Sequence, residues 1–297
     1  MTRPERTART VTWLSLAVSA VLAAIKIVVG LSAHSVAVVS DGLESAGDSL
    51  ASVLVLVGLW VAAKPPDHQH PYGHGRFETV TGLGIGVLLT MVGTGISLRS
   101  FEQRHDLHGV AGYAMWPLLG SIVVKGIFSL VKRSVGKKSG SSALTADSWH
   151  DAVDMLSSFV ALVGVFTALV NPGMIAADHY GGVIVGAIVI LLGIQVIRET
   201  TLQLMDTMPG EAQLAIIRAA AVRVPGARGV EKCYARKTGL RYHVDLHLEV
   251  DPEMTVRDSH EIAGAVRTAI KKNVSWVEDV LVHVEPTGVA ADLTVKR

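Results

Sequence analysis

The sequence predicts an α-helical membrane protein with six transmembrane helices, followed by a small soluble α/β domain. Hydrophobic residues make up 49% of the 297 residues and charged residues only 18%, and the mean hydropathy is +0.42. The apolar residues lie in long runs that stop near Thr201, after which charged residues become frequent. Soluble domains are about 25% charged, so this composition favours a membrane protein.

Six apolar runs are long enough to cross a bilayer. They lie near residues 11–33, 36–63, 79–101, 110–134, 143–170 and 178–202. A hydrocarbon core about 30 Å thick requires about 20 residues of α-helix, and each run meets that length. The first run follows three arginines but is longer than the core of a secretory signal, so we expect it to be a membrane helix.

Basic residues between the predicted helices indicate the orientation. Lys64 and Arg76 lie between the second and third runs, and four more basic residues lie at or just after the end of the fourth: Lys132, Arg133, Lys137 and Lys138. The links after the first and fifth runs contain no lysine or arginine. By the positive-inside rule, we expect both termini to be cytosolic.

The residues after Pro209 predict a soluble αββαβ unit. We expect helices at 211–223 and 255–271 and strands at 228–237, 240–250 and 277–285. Polar and apolar residues alternate from His243 to Val250, which is the period of a half-covered strand. The predicted domains are therefore a membrane domain, 1–208, and a cytosolic domain, 209–297, whose small core would be stabilised by pairing with a second copy.

Net charge and cysteine content exclude some classes of protein. The formal charge of +1 gives no indication of a nucleic-acid partner. The single cysteine, Cys233, cannot form an internal disulfide and implies no oxidising compartment.

Two predicted membrane helices carry ionisable residues with the same spacing. The second contains Asp41, Glu44 and Asp48, and the fifth contains Asp147, His150 and Asp154. Positions i, i+3 and i+7 lie on one stripe of a helix, so each set points in one direction. An ionisable residue at the centre of a membrane helix costs about 2.5–3.5 kcal/mol, so two matched stripes indicate function.

The second and third members of each stripe together supply three carboxylates and one imidazole, from Glu44, Asp48, His150 and Asp154. This set can surround a divalent metal ion with four ligands. Without a cation or protons the carboxylates would repel one another, which favours a metal site over a polar network that only joins two helices. For Asp41 and Asp147 we expect positions beside the site or at a helix end.

These stripes and several other stretches resemble the cation diffusion facilitator family. The stretches are Lys26…Gly30…Ser35…Asp41-x-x-Glu44-Ser45-x-x-Asp48, His70-Pro-Tyr-Gly-His74-Gly-Arg76-Phe-Glu78, Ala143-Leu-x-Ala-Asp147-x-x-His150-x-x-x-Asp154 and Leu204-Met-Asp206-x-x-Pro209. The resemblance implies a homodimer of six-helix protomers in the bilayer of a bacterial inner membrane. It also implies a cytosolic ferredoxin-like domain and the exchange of a divalent metal ion for protons.

The same resemblance does not identify which divalent metal ion is transported. Bacterial zinc and iron exporters of the family usually have an aspartate at the position of Glu44, and many zinc-selective relatives have a histidine there. We expect zinc, with iron, cadmium, cobalt and manganese as alternatives, because imidazole suits zinc and iron better than manganese. The metal is the transported ion, and no resident cofactor is expected.

The resemblance also implies a peripheral metal site and a charge pair on the cytosolic side. Asp67, His70 and His74 match the metal site, and a weak cation-collecting patch is the alternative interpretation. Arg76 and Asp206 match an ion pair near the dimer interface, and an arginine that contacts lipid headgroups is the alternative.

In the soluble domain, four residues match positions that bind metal between the two tail domains of relatives: His247, His260, His283 and Glu285. His283 and Glu285 alternate on one predicted strand and so share a face. Glu231 stands where some relatives supply another histidine. Surface histidines without a metal are the alternative.

The sequence thus predicts a secondary active transporter and not an enzyme. A membrane metalloenzyme is a weaker alternative, because the sequence contains no HExxH motif and no nucleophile elbow. A metal-sensing or assembly scaffold with vestigial transport is a second alternative. Metal-dependent proton flux in sealed vesicles separates the transporter from both.

Overall fold

The computed structural model describes residues 3–105, 109–139, 142–239 and 241–288. The membrane helices are α1 (Arg3–Ser32), α2 (Val36–Ala62), α3 (Arg76–Glu102), α4 (Met115–Ser139), α5 (Ser142–Val170) and α6 (Ala176–Leu204). The later elements are α7 (Glu211–Ala221), β1 (Gly229–Thr238), β2 (Arg241–Val250), α8 (Val256–Asn273) and β3 (Val277–Pro286). This order confirms the predicted fold class.

The described residues divide into two compact units. The first lies within Met1–Val57 and Gly82–Ile197, and the second within Gly58–Thr81 and Arg198–Arg297. The boundaries between the two units therefore lie inside α2, α3 and α6. The predicted boundary between a membrane domain and a cytosolic domain at residue 208 stays a prediction.

Six helices of the described chain are long and apolar enough to cross a membrane. Each corresponds to one predicted run, but α1 starts at Arg3, well before the apolar segment Trp13–Ser32. The preceding residues include Glu5, Arg6 and Ala8, which are good helix formers and extend the helix beyond the hydrophobic run. The fourth helix begins later than predicted, at Met115, because Gly112–Ala114 form a 3₁₀ turn in front of it.

Small residues and one buried carboxylate fix how the membrane helices meet. A Cβ on Gly93 of α3 would lie 2.8 Å from the carbonyl oxygen of Gly186 on α6, so only glycine permits this close approach. Asp178 of α6 accepts hydrogen bonds of 2.6 Å from the Ser35 hydroxyl and from the backbone N–H of Val36. It thereby satisfies backbone donors at the start of α2, the helix that carries the first stripe.

The part of the second unit that runs from Glu211 to Pro286, called the soluble unit below, is a three-stranded sheet with two helices on one face. The strand order is β1-β2-β3, with β1 antiparallel and β3 parallel to β2. The buried residues of β2 alternate with polar ones and pack with α7 and α8, forming a core that includes Ile217, Leu246, Leu248, Val266 and Ile270. The opposite face of the sheet carries the polar members of the strands.

We expect Ile217→Ala to lower the free energy of unfolding of the soluble unit by about 2–5 kcal/mol, because the Ile217 side chain is fully buried in this core. Its neighbour Ile216 is 51% exposed on the same helix, so Ile216→Ala should change that energy by less than about 0.5 kcal/mol. A urea titration of segment 209–297, whose single tryptophan is Trp276, would measure both by fluorescence. Equal losses would contradict the assignment of the core face of α7.

Candidate metal centre

Three of the four predicted membrane ligands lie together between α2 and α5. One donor atom from each of Asp48, His150 and Asp154 can be chosen so that all lie within 4.8 Å of one another. The Nε2 atom of His150 is 3.7 Å from Oδ2 of Asp48 and 3.9 Å from Oδ1 of Asp154. The spacing of four residues on α5 places the last two side chains one above the other.

The same carboxylates have buried oxygens that lack hydrogen-bond partners. Oδ2 of Asp48 and Oδ1 of Asp154 are both of this kind, and they are the oxygens that face His150. A buried acceptor without a partner is costly, and most such atoms in folded proteins are satisfied. A small divalent cation among these atoms would satisfy both carboxylate oxygens and could take the imidazole as a third ligand, so the donor set fits a transition-metal ion.

Glu44 lies one helical turn before Asp48 but outside this three-residue group. Its Oε1 atom accepts a 2.7 Å hydrogen bond from Ser157, while its buried Oε2 has no partner. Its charge is within electrostatic reach of Asp48 and Asp154. Ligation by Glu44 therefore stays a prediction, and its second oxygen is the atom available for it.

The structure adds two buried lysines whose roles the sequence interpretation missed. Lys26 of α1 pairs with Asp41 at 2.7 Å, and Lys125 of α4 pairs with Asp154 at 2.6 Å. The Ser45 hydroxyl accepts from both ammonium groups, at 3.1 and 3.5 Å. Both lysines could have been identified from the sequence, because each is an ionisable residue inside an apolar run and such a residue is a candidate functional residue in any membrane helix.

The first residue of each stripe is Asp41 in α2 and Asp147 in α5, and the structure describes the side chain of Asp41. Asp41 is buried against Lys26 and also accepts hydrogen bonds from Ser158, so it lies beside the group and outside the three-residue cluster, as predicted. The side chain of Asp147 lies outside the described part of the chain.

A second cluster lies in the link between α2 and α3, where Asp67, His70 and His74 come together. Oδ1 of Asp67 lies 3.1 Å from Nδ1 of His70, and its Oδ2 lies 3.5 Å from Nε2 of His74. The backbone N–H of His70 also donates to Asp67 and holds the pKa of this exposed carboxyl below its usual value. The predicted loop residues therefore bring together an exposed carboxylate, the exposed imidazole of His70 and the partly buried imidazole of His74.

A third cluster lies on the face of the sheet opposite α7 and α8. It contains His247, His283 and Glu285, with His247 and His283 paired across β2 and β3. His247 hydrogen-bonds to Glu285, and Nε2 of His283 lies 3.6 Å from the same carboxylate oxygen. A hydrogen bond with Glu231, and then the contact with His247, lower the pKa of Glu285 below its usual value.

His260 does not join that cluster within one chain. It is exposed on α8, and α8 packs on the other face of the sheet through Ala263, Val266 and Ile270. The resemblance implied ligation by His260 as well, so this residue would have to act through a second copy or not at all.

The predicted cytosolic ion pair is formed within one protomer. A guanidinium nitrogen of Arg76 donates to Oδ1 of Asp206 at 2.6 Å, and both side chains are exposed. Asp206 has a φ of 56°, a left-handed conformation that aspartate tolerates better than most residues. The pair joins the start of α3 to the segment that follows α6.

Comparison with known proteins gives the family. Residues 12–205 match the family model described as the cation efflux transmembrane domain, and residues 209–287 match the cytoplasmic domain of cation efflux proteins. The chain belongs to the cation diffusion facilitator family. Membership supports divalent metal cation efflux and places the protein among transporters rather than enzymes. The match to the cytoplasmic domain also supports homodimer formation.

Several relatives share 30–32% identity with this cation diffusion facilitator. Metal tolerance protein C1 of Arabidopsis thaliana is 31% identical and covers 89% of this chain, which spans only 59% of that relative. Manganese efflux system protein MneP of Bacillus subtilis is 30% identical, covering 95% of this chain and 97% of its own. Magnetosome protein MamM of Magnetospirillum gryphiswaldense is 32% identical, covering 93% and 88%.

Among solved structures, the C-terminal domain of MamM is 41% identical. It covers 26% of this chain and 96% of its own, with a TM-score of 0.25.

We expect His283→Ala to remove one bound zinc ion per protomer from the purified full-length protein, because it breaks the cluster on the sheet. His260→Ala should keep that ion, since His260 lies on the other side of the sheet. Elemental analysis after equilibrium dialysis would count the ions. Loss of the ion in His260→Ala would show instead that two copies share the site.

Proposed function

We propose that this protein exports a divalent transition-metal ion from the cytosol in exchange for protons, with zinc as the first candidate. The observation that carries the proposal is the convergence of Asp48, His150 and Asp154 inside the membrane unit. Two of their carboxylate oxygens are buried without partners, which is the environment that a cation would neutralise.

The exchange follows from competition for the same donor atoms. A metal ion requires carboxylates without protons and a neutral imidazole, so binding from the cytosol releases protons from the site. When the site opens to the outside, arriving protons displace the metal. The proton gradient then drives export. Both termini lie in the cytosol, as the positive-inside pattern predicts. The membrane is a bacterial inner membrane, as the family resemblance implies.

Manganese is the second candidate. Carboxylates suit manganese better than imidazole does, and Glu44 adds a third carboxylate next to the cluster. The relative MneP is named for manganese efflux. Zinc stays first because His150 contributes an imidazole nitrogen to the site.

Proteoliposomes with a trapped pH dye would test the proposal. With zinc added on the side equivalent to the cytosol, we expect zinc to enter and protons to leave with the same time course. Manganese, iron, cadmium and cobalt, added singly, would rank the ions. Zinc that accumulates without any proton movement would contradict antiport, and no flux of any of the five ions would favour the scaffold interpretation.

We expect Asp48→Asn and Asp154→Asn to abolish metal flux, because each removes an anionic ligand with little change in shape. Asp151→Asn is the matched control: Asp151 lies one turn from Asp154 and is also buried, but it pairs with Lys132 outside the metal cluster. This variant should transport at a rate close to that of the parent. Size-exclusion chromatography would show that each variant is a folded dimer. Undiminished flux in Asp48→Asn or Asp154→Asn would remove the site assignment.

For Glu44 we expect two different results. Glu44→Asp should transport with a changed order of ion preference, because it keeps the charge and shortens the reach of the carboxylate. Glu44→Gln should transport severely less, because it removes the charge while keeping the hydrogen bond with Ser157 possible. Flux assays across a pH series would measure both. Parental flux in Glu44→Gln at every pH would exclude Glu44 as a ligand.

A further inference from the structure

Lys125 reaches the transport site from a third helix. Its ammonium nitrogen lies 2.6 Å from Oδ2 of Asp154, and both side chains are almost completely buried. The other oxygen of that carboxylate, Oδ1, has no hydrogen-bond partner and faces His150. Asp154 is thus shared, with one oxygen held by a lysine and the other turned to the metal donors.

A lysine at this position needs an explanation beyond helix packing. An ammonium group in a membrane interior is costly, and beside a cation site it also repels the ion. The same two helices, α4 and α5, are already joined by a second buried pair, Lys132 with Asp151 at 2.7 Å. Joining α4 to α5 therefore does not by itself account for Lys125.

The charges of the buried cluster supply that explanation. Glu44 lies within electrostatic reach of three other carboxylates, those of Asp41, Asp48 and Asp154. Two ammonium groups pair with members of this set, Lys26 with Asp41 and Lys125 with Asp154. In the metal-binding state the carboxylates carry no protons and His150 is neutral, so four negative and two positive charges leave a net charge of −2. A divalent cation would neutralise that charge, whereas without the lysines the cluster would hold it far more tightly.

We propose that Lys125 promotes ion release: through its ion pair with Asp154 it reduces the negative charge of the transport site, so that a divalent ion bound there can leave. This inference rests on the proposed function, because it assigns a role towards the same site. Lys26 acts in the same direction through Asp41 and the shared Ser45 hydroxyl.

The test measures zinc affinity in the full-length dimer. All variants carry His70→Ala and His283→Ala, which disable the loop and sheet clusters, so that the membrane site gives the remaining signal. Within this background Lys125→Met should bind zinc at least about tenfold more tightly, because a repelling charge is removed. It should also show a larger rise in melting temperature with zinc, and slower zinc flux after reconstitution.

Two further variants separate this role from a structural one. Lys125→Arg keeps the positive charge and should restore an affinity close to that of the background protein. Lys132→Met breaks the neighbouring buried pair between the same helices and should lower thermal stability while leaving zinc affinity unchanged. Should Lys125→Met fail to fold, Lys125→Gln, which keeps a hydrogen-bond donor for Asp154, carries the same expectation of tighter binding.

The outcomes distinguish failure of this inference from failure of the proposed function. Unchanged or weaker zinc binding in folded Lys125→Met, or in Lys125→Gln where the methionine variant does not fold, would overturn the role of Lys125 and leave the transport site standing. Zinc binding that survives Asp154→Asn in the same background would overturn the transport site itself.

Discussion

Charged groups inside a membrane must be neutralised by partners, because hydrocarbon cannot hydrate them. This constraint governs the membrane unit. Lys26 with Asp41, Lys125 with Asp154 and Lys132 with Asp151 form buried ion pairs that join α1 to α2 and α4 to α5. Each pair fixes the rotation of two helices about their own axes, since a turned helix would leave a buried charge alone. The positions of the candidate metal donors follow from these rotations.

The pairs leave the cluster with carboxylate oxygens that no side chain among the described residues satisfies. These oxygens belong to Glu44, Asp48 and Asp154, although the other Glu44 oxygen accepts a hydrogen bond from Ser157. A protein core normally satisfies such atoms, so their presence indicates a place where a mobile cation or protons complete the site. The proposed transport site needs such unsatisfied oxygens, because a site fully satisfied by its own side chains would bind an ion weakly.

In the soluble unit, alternate residues of β2 have different roles: the apolar ones stabilise the domain and the polar ones lie on the face of the candidate metal site. The apolar members of β2 pack against α7 and α8, and the polar members face the other way, where His247 meets His283 and Glu285. The parallel pairing of β2 and β3 aligns the two histidines directly across the strands. The metal-binding candidates therefore lie on the face that the core does not use, and a change of ligand there leaves the packing of the domain intact.

Local sequence patterns were enough to predict the helices, the strands and the two stripes of ionisable residues. Apolar run length, strand alternation and the spacing of Asp41, Glu44 and Asp48 are local properties, and the helices and strands formed close to where these patterns predicted them. Which donor side chains come together depends on the packing of the helices and strands. This packing turned one Glu44 oxygen to Ser157, placed His260 on the far side of the sheet and brought Lys125 to Asp154. These outcomes depend on helix rotation and on contacts between residues distant in the chain, which local periodicity does not contain.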